Sequence, residues 1–170
     1  YVDLRGADLS GSSLSRTDLH AARMVNTLLR GTVVGSALLL EADMRGADLT
    51  GAYLCNVRLN GANLSEAKLD GAILGGEDCI PATMNRVVMI RTSLVGANLC
   101  GVSLLRADLS DANLTDADLS ESDLTSTIMR KANLTGTNFQ DVDLTTTTMT
   151  LANLSAAKNV HLKYPKRDAR

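Results

Sequence analysis

Two Ser-x-x-Lys sequences have a spacing that could suit a nucleophile and its base, Ser65 with Lys68 and Ser155 with Lys158. In acyl-transfer enzymes this spacing works because one helical turn brings the lysine beside the serine. Both matches lie in a five-residue pattern that does not suit a helix, so we interpret them as coincidental. His20 and His161 are far apart, and neither has a cysteine in register to form a dyad. The sequence therefore predicts no catalytic residue and no enzyme.

The three cysteines, Cys55, Cys79 and Cys100, form no Cys-x-x-Cys pair. Zinc and thiol-redox chemistry therefore have no support, and we predict neither a metal nor another cofactor. A sparse, odd set of cysteines is typical of a reducing compartment. We expect a cytoplasmic protein.

The dominant feature of the sequence is a period of five. Every fifth residue from Leu4 to Leu154 is apolar if Cys79 is counted, and all six methionines of the chain fall in this column. The column two residues earlier holds mostly alanine, threonine and valine, and the column between the two is rich in aspartate and asparagine. With 2% aromatic residues, a core must be built from aliphatic layers.

A five-residue period matches neither a 3.6-residue helix nor a simple alternating strand. It contains a small inward residue, a polar outward residue and a large inward residue, followed by two residues that can turn. Stacked turns of this kind would pair their backbones between layers, as parallel sheets do, and would bury the leucine column continuously.

The tandem A(D/N)LxG pattern resembles that of the pentapeptide repeat proteins, as in RGADLTGAYL (residues 45–54) and LSDANLTDADLSESDL (residues 109–124). The resemblance covers residues 2–156. It implies an all-β fold, a right-handed quadrilateral parallel β-helix of about eight coils with four repeats per coil. Residues 20 apart would then stack vertically.

This stacking predicts two surface features. Val33, Tyr53 and Ile73 occupy the outward position, 20 residues apart, and would form an apolar stripe, which we propose as a partner-binding surface. A second set would form an acidic corner, in which one pair of carboxylates stacks on another: Glu121, Asp123, Asp141 and Asp143. This corner is expected either to contact a basic partner or to be a solvated rim. Scattered apolar residues also suit exposed strands, so a purely structural role remains an alternative for both sets.

The segment GGEDCIPAT (residues 75–83) departs from the pattern. Leu74 and Met84 keep the phase, so we predict a local bulge at residues 76–81 within a continuous helix, with Cys79 buried as a small apolar filler. Glu77 falls in the small inward column and should bend outward, because burying an unpaired carboxylate costs several kcal/mol. If the bulge holds, Leu28, Val88 and Ile128 share one column. If all ten residues form a loop instead, every face assignment after residue 84 shifts by up to two walls, meaning two of the lateral faces of the β-helix.

The chain is expected to comprise the β-helix over residues 1–157 and a short, basic, partly disordered cap over residues 158–170. It starts at Tyr1, already in the repeat, so we expect it to be part of a longer protein. No apolar run approaches the roughly 18 residues that a membrane helix needs.

A non-catalytic interaction scaffold that binds a protein partner is the leading functional hypothesis, with no small-molecule substrate, nucleic acid or membrane as a partner. The alternatives are a DNA-mimicking binder of DNA gyrase or topoisomerase, as some pentapeptide repeat proteins are, and a structural rod with no specific partner. End-to-end stacking into homo-oligomers is also predicted, because an open coil edge can pair with another chain.

Overall fold

The computed structural model describes residues 2–160, which form a solenoid of stacked five-residue repeats. Parallel bridges join residues 20 apart, as in Asp3 with Arg23 and Asp43 with Asn63. Each bridge is isolated, and the structure has no longer strand and no helix within the described residues, because every repeat contains a turn. The architecture is a parallel β-helix in which four repeats separate each residue from its partner in the next layer.

A tight turn closes each repeat. In the first one, the amide of Ala7 donates to the carbonyl of Leu4 at 3.0 Å, and Gly6 between them has a φ of 67°. This is the type II geometry, which needs a left-handed residue at its third position. Nineteen non-glycine residues also adopt positive φ, although each such residue costs about 1–2 kcal/mol. The repeated backbone pairing must offset that cost, since it recurs in almost every repeat.

The core is a filled column of aliphatic side chains. Leu64, Leu69 and Met84 are fully buried, and the small inward column, represented by Ala62 and Ala67, packs beside them. At most threonines of that column the hydroxyl donates to a backbone carbonyl of another layer. Thr92 Oγ1, for example, donates to the Leu64 carbonyl at 2.8 Å, whereas Thr17 donates to Leu14 in its own layer.

The register changes once, at GGEDCIPAT. Arg58 pairs with Thr83 rather than with residue 78, a separation of 25. The amide of Ala82 donates to the carbonyl of Leu74 at 2.8 Å, the hydrogen bond that a two-residue turn makes elsewhere. Residues 75–81, named here the excursion loop, therefore take the place of two turn residues.

The prediction of a bulge within a continuous helix was wrong. The solenoid loses one complete repeat of five residues, which is more than a bulge of a few residues and less than a loop of all ten. Downstream residues consequently lie one wall away from the predicted wall. Val88 pairs with Asn63, whereas Leu28 pairs with Asp8 and Asp48. Val88 and Ile128 are therefore not in the column of Leu28.

Pro81 supplies the physical reason for the loop. It stands at the turn position that has positive φ in the repeats on either side, such as Gly71 and Arg86. The pyrrolidine ring fixes φ near −65°, so Pro81 cannot close this turn. Glu77 in turn would fall in the buried small column, and in the loop it is exposed, as the sequence predicted.

Cys79 is buried but is not a free apolar filler. It forms a disulfide with Cys55, with 5.3 Å between the two Cα atoms, and Cys100 is the free cysteine. The expectation of three reduced cysteines was wrong because the excursion loop folds back over the turn that carries Cys55. Disulfides persist mainly in oxidising compartments, whereas the cytoplasm is reducing. The disulfide therefore does not support the predicted cytoplasmic location, which stays a prediction.

The last bridge joins Asn138 to Lys158. The cap was predicted for residues 158–170. Its residues from 161 onward, including His161, lie outside the described residues. Among residues 2–160 there is no helix long and apolar enough to span a membrane.

Candidate partner-binding wall and its flanking groove

The predicted apolar stripe is in register on one wall. Val33 pairs with Tyr53, and Tyr53 pairs with Ile73. Val33 is 43% exposed and Tyr53 is 50% exposed, while Ile73 is partly buried. Polar residues end the stripe, with Ser13 in the layer before Val33 and Asn98 in the layer after Ile73. The structure thus brings the three side chains together as one short, exposed apolar surface.

The excursion loop forms the side of a groove at the Ile73 end of this stripe. The groove has a volume of about 370 Å³, and Tyr53, Ile73, Glu77, Asp78 and Asn98 are among the residues that line it. Sequence reasoning missed this groove, because it assigned residues 76–81 to a bulge. The signal that could have revealed it is a proline at the left-handed turn position.

The loop is tied to the wall at several points. Besides the disulfide, the amide of Asn56 donates to the Ile80 carbonyl at 2.6 Å, and within the loop itself the amide of Cys79 donates to the Gly76 carbonyl at 3.1 Å. Gly75 fits closely against the next layer, since a Cβ there would lie 1.9 Å from the Cys100 carbonyl oxygen. The groove wall is therefore held in one position relative to the stripe.

The acidic corner lies near the other end of the described solenoid, away from the stripe. The amide of Glu121 donates to the Gln140 carbonyl at 2.8 Å, which places Glu121 in the layer next to Asp141. Asp123 Oδ1 accepts from the Thr125 amide at 3.0 Å, and Asp143 Oδ1 accepts from the Thr145 amide at 2.9 Å. All four carboxylate side chains are exposed.

Three carboxylates in the first coils have arginine partners instead. Hydrogen bonds from the Arg5 side chain lower the pKa of Asp3 to about 2, and those from Arg45 likewise lower the pKa of Asp43. Burial would raise the pKa of Asp48, but hydrogen bonds from Thr50 and Arg30 outweigh it, and the pKa lies below its ordinary value. Part of the negative charge of these coils is thus neutralised by arginine.

The two residues of the first Ser-x-x-Lys pair are not brought together by a helical turn. Ser65 belongs to the turn that follows one wall and donates its amide to Asn63 Oδ1, whereas Lys68 is a bridged residue of the next wall. Nowhere in residues 2–160 do three or more histidine, cysteine or acidic side chains come together in a way that could hold a metal ion.

The stacked parallel bridges, the turn in each repeat and the aliphatic core define a β-helical repeat protein. The family model for pentapeptide repeats matches eight copies, over residues 1–33, 37–76, 92–130 and 127–158. The chain belongs to the pentapeptide repeat family. A search of curated proteins found no match.

Solved structures of this family resemble the chain. It is 30% identical to HetL, a pentapeptide repeat protein involved in heterocyst differentiation regulation in the cyanobacterium Nostoc sp. strain PCC 7120, with a TM-score of 0.51 over 92% of this chain and 78% of HetL. It is 11% identical to full-length QnrB1, a plasmid-mediated fluoroquinolone resistance protein, with a TM-score of 0.51 over 88% of this chain and 85% of QnrB1. The likeness to QnrB1 concerns the fold alone.

Proposed function

We propose that this chain is a non-catalytic protein-interaction scaffold whose principal contact is the wall carrying Val33, Tyr53 and Ile73. The observation that carries the proposal is the unbroken apolar stripe over three layers, at a position that holds aspartate or asparagine in many other repeats. Tyrosine, which is half-exposed here, is among the residue types enriched at the centre of protein interfaces. The similarity to HetL, which is involved in regulation, supports a binding role.

We infer that the rod behind this wall is a right-handed quadrilateral β-helix. Four repeats between bridged residues support four walls. With one repeat in the excursion loop, about seven and a half coils remain of the eight predicted. Side chains fill its interior, so binding falls to the outer walls.

We further propose the acidic corner of Glu121, Asp123, Asp141 and Asp143 as a secondary contact for basic groups of the partner. The four side chains are exposed, and repulsion between like charges in neighbouring layers favours an opposite charge beside them. A solvated rim is the alternative.

The test compares three forms of the chain in affinity capture from the source cell, followed by quantitative mass spectrometry. Tyr53→Asp places a charge in the stripe. Asn63→Asp adds the same charge at the same repeat position on another wall, where an aspartate can still accept the hydrogen bond from the Ser65 amide. We expect Tyr53→Asp to lose a specific partner that the native chain and Asn63→Asp both retain. Equal recovery of every protein by all three would refute the stripe as the contact and favour a rod without a specific partner.

A protein that mimics DNA requires an extended array of negative surface charge that resembles a phosphate backbone. In the described residues no vertical run of carboxylates extends beyond two layers, as at Glu121 and Asp141. In the first coils, Asp3, Asp43 and Asp48 are each paired with an arginine. We therefore expect no effect on gyrase supercoiling, with or without a fluoroquinolone, at micromolar protein. Inhibition or protection in that assay would favour the mimic.

A further inference from the structure

The groove between the stripe and the excursion loop combines an apolar floor with an acidic side. Tyr53 and Ile73 supply the floor, and Glu77 and Asp78 supply the side. Both carboxylates are exposed, and neither forms an ion pair with any described residue. Arg16 lines a second depression on the far side of the loop together with Asp78 and Ile80, but it is not within ion-pair distance of Asp78.

This combination discriminates between classes of occupant. An anionic segment would be repelled by Glu77 and Asp78. A purely apolar segment would remove water from the two carboxylates without replacing its hydrogen bonds, which is unfavourable. A lysine or arginine side chain satisfies both parts, since its methylene stem packs on apolar surface while its cation stays at the edge. The exposed Tyr53 ring adds a favourable cation–π contact.

The attachment of the loop makes the groove a preformed site. The Cys55–Cys79 disulfide and the hydrogen bond from Asn56 to Ile80 hold the loop that carries the carboxylates close to the wall. Binding then requires little ordering of the protein, which leaves more of the contact energy as affinity.

We propose that this groove receives a lysine or arginine side chain from an extended segment of the partner protein, with flanking apolar side chains on Tyr53 and Val33. The proposal rests on the function proposed above and names the chemistry of the partner at one end of the stripe. Val33, Tyr53 and Ile73 provide the apolar contact, and Glu77 and Asp78 select for positive charge.

The test uses the full chain, ¹⁵N-labelled, and three heptapeptides: Ac-GSLKLSG-NH₂ and its versions with norleucine or glutamate in place of lysine. Norleucine keeps the stem without the charge. We expect the lysine peptide to shift the amide resonances of Tyr53, Ile73 and Gly76, to bind more weakly as salt is added, and to bind more tightly than the norleucine peptide. The glutamate peptide should bind most weakly.

Two variants locate the charge effect. Glu77→Gln with Asp78→Asn should weaken the lysine peptide by about fivefold, the scale of solvent-exposed ion pairs, and should leave the norleucine peptide unchanged. Glu41→Gln with Asp111→Asn removes the same charge at exposed positions outside both the groove and the acidic corner, and should change neither. All four positions are exposed, and thermal melts followed by circular dichroism will verify that the variants fold.

Equal affinity of the lysine and norleucine peptides, or resonance shifts at the acidic corner in place of the groove, would overturn the inference. If the peptides fail to bind while Tyr53→Asp still loses its partner in the capture experiment, the inference fails and the proposed function stands. If both experiments are negative, both proposals fail.

Discussion

Deleting residues 77–81 should leave the solenoid folded. The remaining sequence, Leu74-Gly75-Gly76-Ala82, has the four-residue length of an ordinary turn such as Leu4 to Ala7. The hydrogen bond from the Ala82 amide to the Leu74 carbonyl already exists at 2.8 Å. Gly76 already has positive φ, so a two-residue turn can replace the loop without moving the flanking layers.

The expected size of the effect combines two opposing contributions. Shortening the connection from seven residues to two lowers the loop-closure entropy, which stabilises the fold by about 1 kcal/mol. Losing the disulfide, which spans a sequence separation of 24, destabilises it by about 3 kcal/mol on the chain-entropy scale. The deletion should therefore lower the free energy of unfolding by about 2 kcal/mol relative to the oxidised native chain.

A matched pair isolates the loop from the disulfide. The deletion is made with Cys55→Ser and compared with Cys55→Ser/Cys79→Ser, which keeps the loop and lacks the disulfide. Urea unfolding followed by circular dichroism should show the deletion to be the more stable of the two by about 1 kcal/mol, with an unchanged denaturant slope. A deletion variant that is less stable than the double serine variant by 2 kcal/mol or more would refute the looped-out repeat. It would mean that residues 77–81 are a packed part of the solenoid.

Three further predictions concern the core, the turns and a charge pair. Leu64→Ala should lower the free energy of unfolding by about 2–5 kcal/mol in urea unfolding, because it opens a cavity in a fully buried layer; a loss below 1 kcal/mol would contradict the packed core. Gly51→Ala should lower the melting temperature, since Gly51 has a φ of 64°, whereas Gly35→Ala, where φ is not positive, should have little effect; equal shifts would contradict the turn assignment. The lowered pKa of Asp48 means that its carboxylate stabilises the fold above pH 3.8, its unfolded value, and that this contribution is lost as the pH falls through the folded pKa. Asp48→Asn should thus be destabilising at pH 7 and less destabilising as the pH falls below 3.8, and a stability difference independent of pH would show that the charge has no role.

The repeat, the core and the stripe could be predicted because each depends only on the period. Backbone pairing between identical units forces residues 20 apart into register, so Val33, Tyr53 and Ile73 align without further information. The excursion loop follows from an incompatibility at one residue, Pro81, which becomes visible only when the turn position is known to have positive φ. Counting repeats could not reveal it, since a loop of one whole repeat preserves the phase.

The disulfide was not predictable from cysteine spacing. Cys55 and Cys79 are 24 positions apart, whereas the register stacks residues that are 20 apart. They meet only because the excursion loop carries Cys79 out of the solenoid and back over the turn that contains Cys55. For the same reason, the groove beside the stripe depends on a tertiary contact that the period does not encode.

The change of register from 20 to 25 at Arg58 and Thr83 has an evolutionary consequence. A looped-out repeat moves every later side chain to the adjacent wall while its inward or outward orientation is unchanged. Gaining or losing one such unit would bring a different set of later residues into line with the stripe, with no core residue altered. A solenoid of this kind can therefore recombine its surfaces by steps of five residues, which point substitutions cannot do.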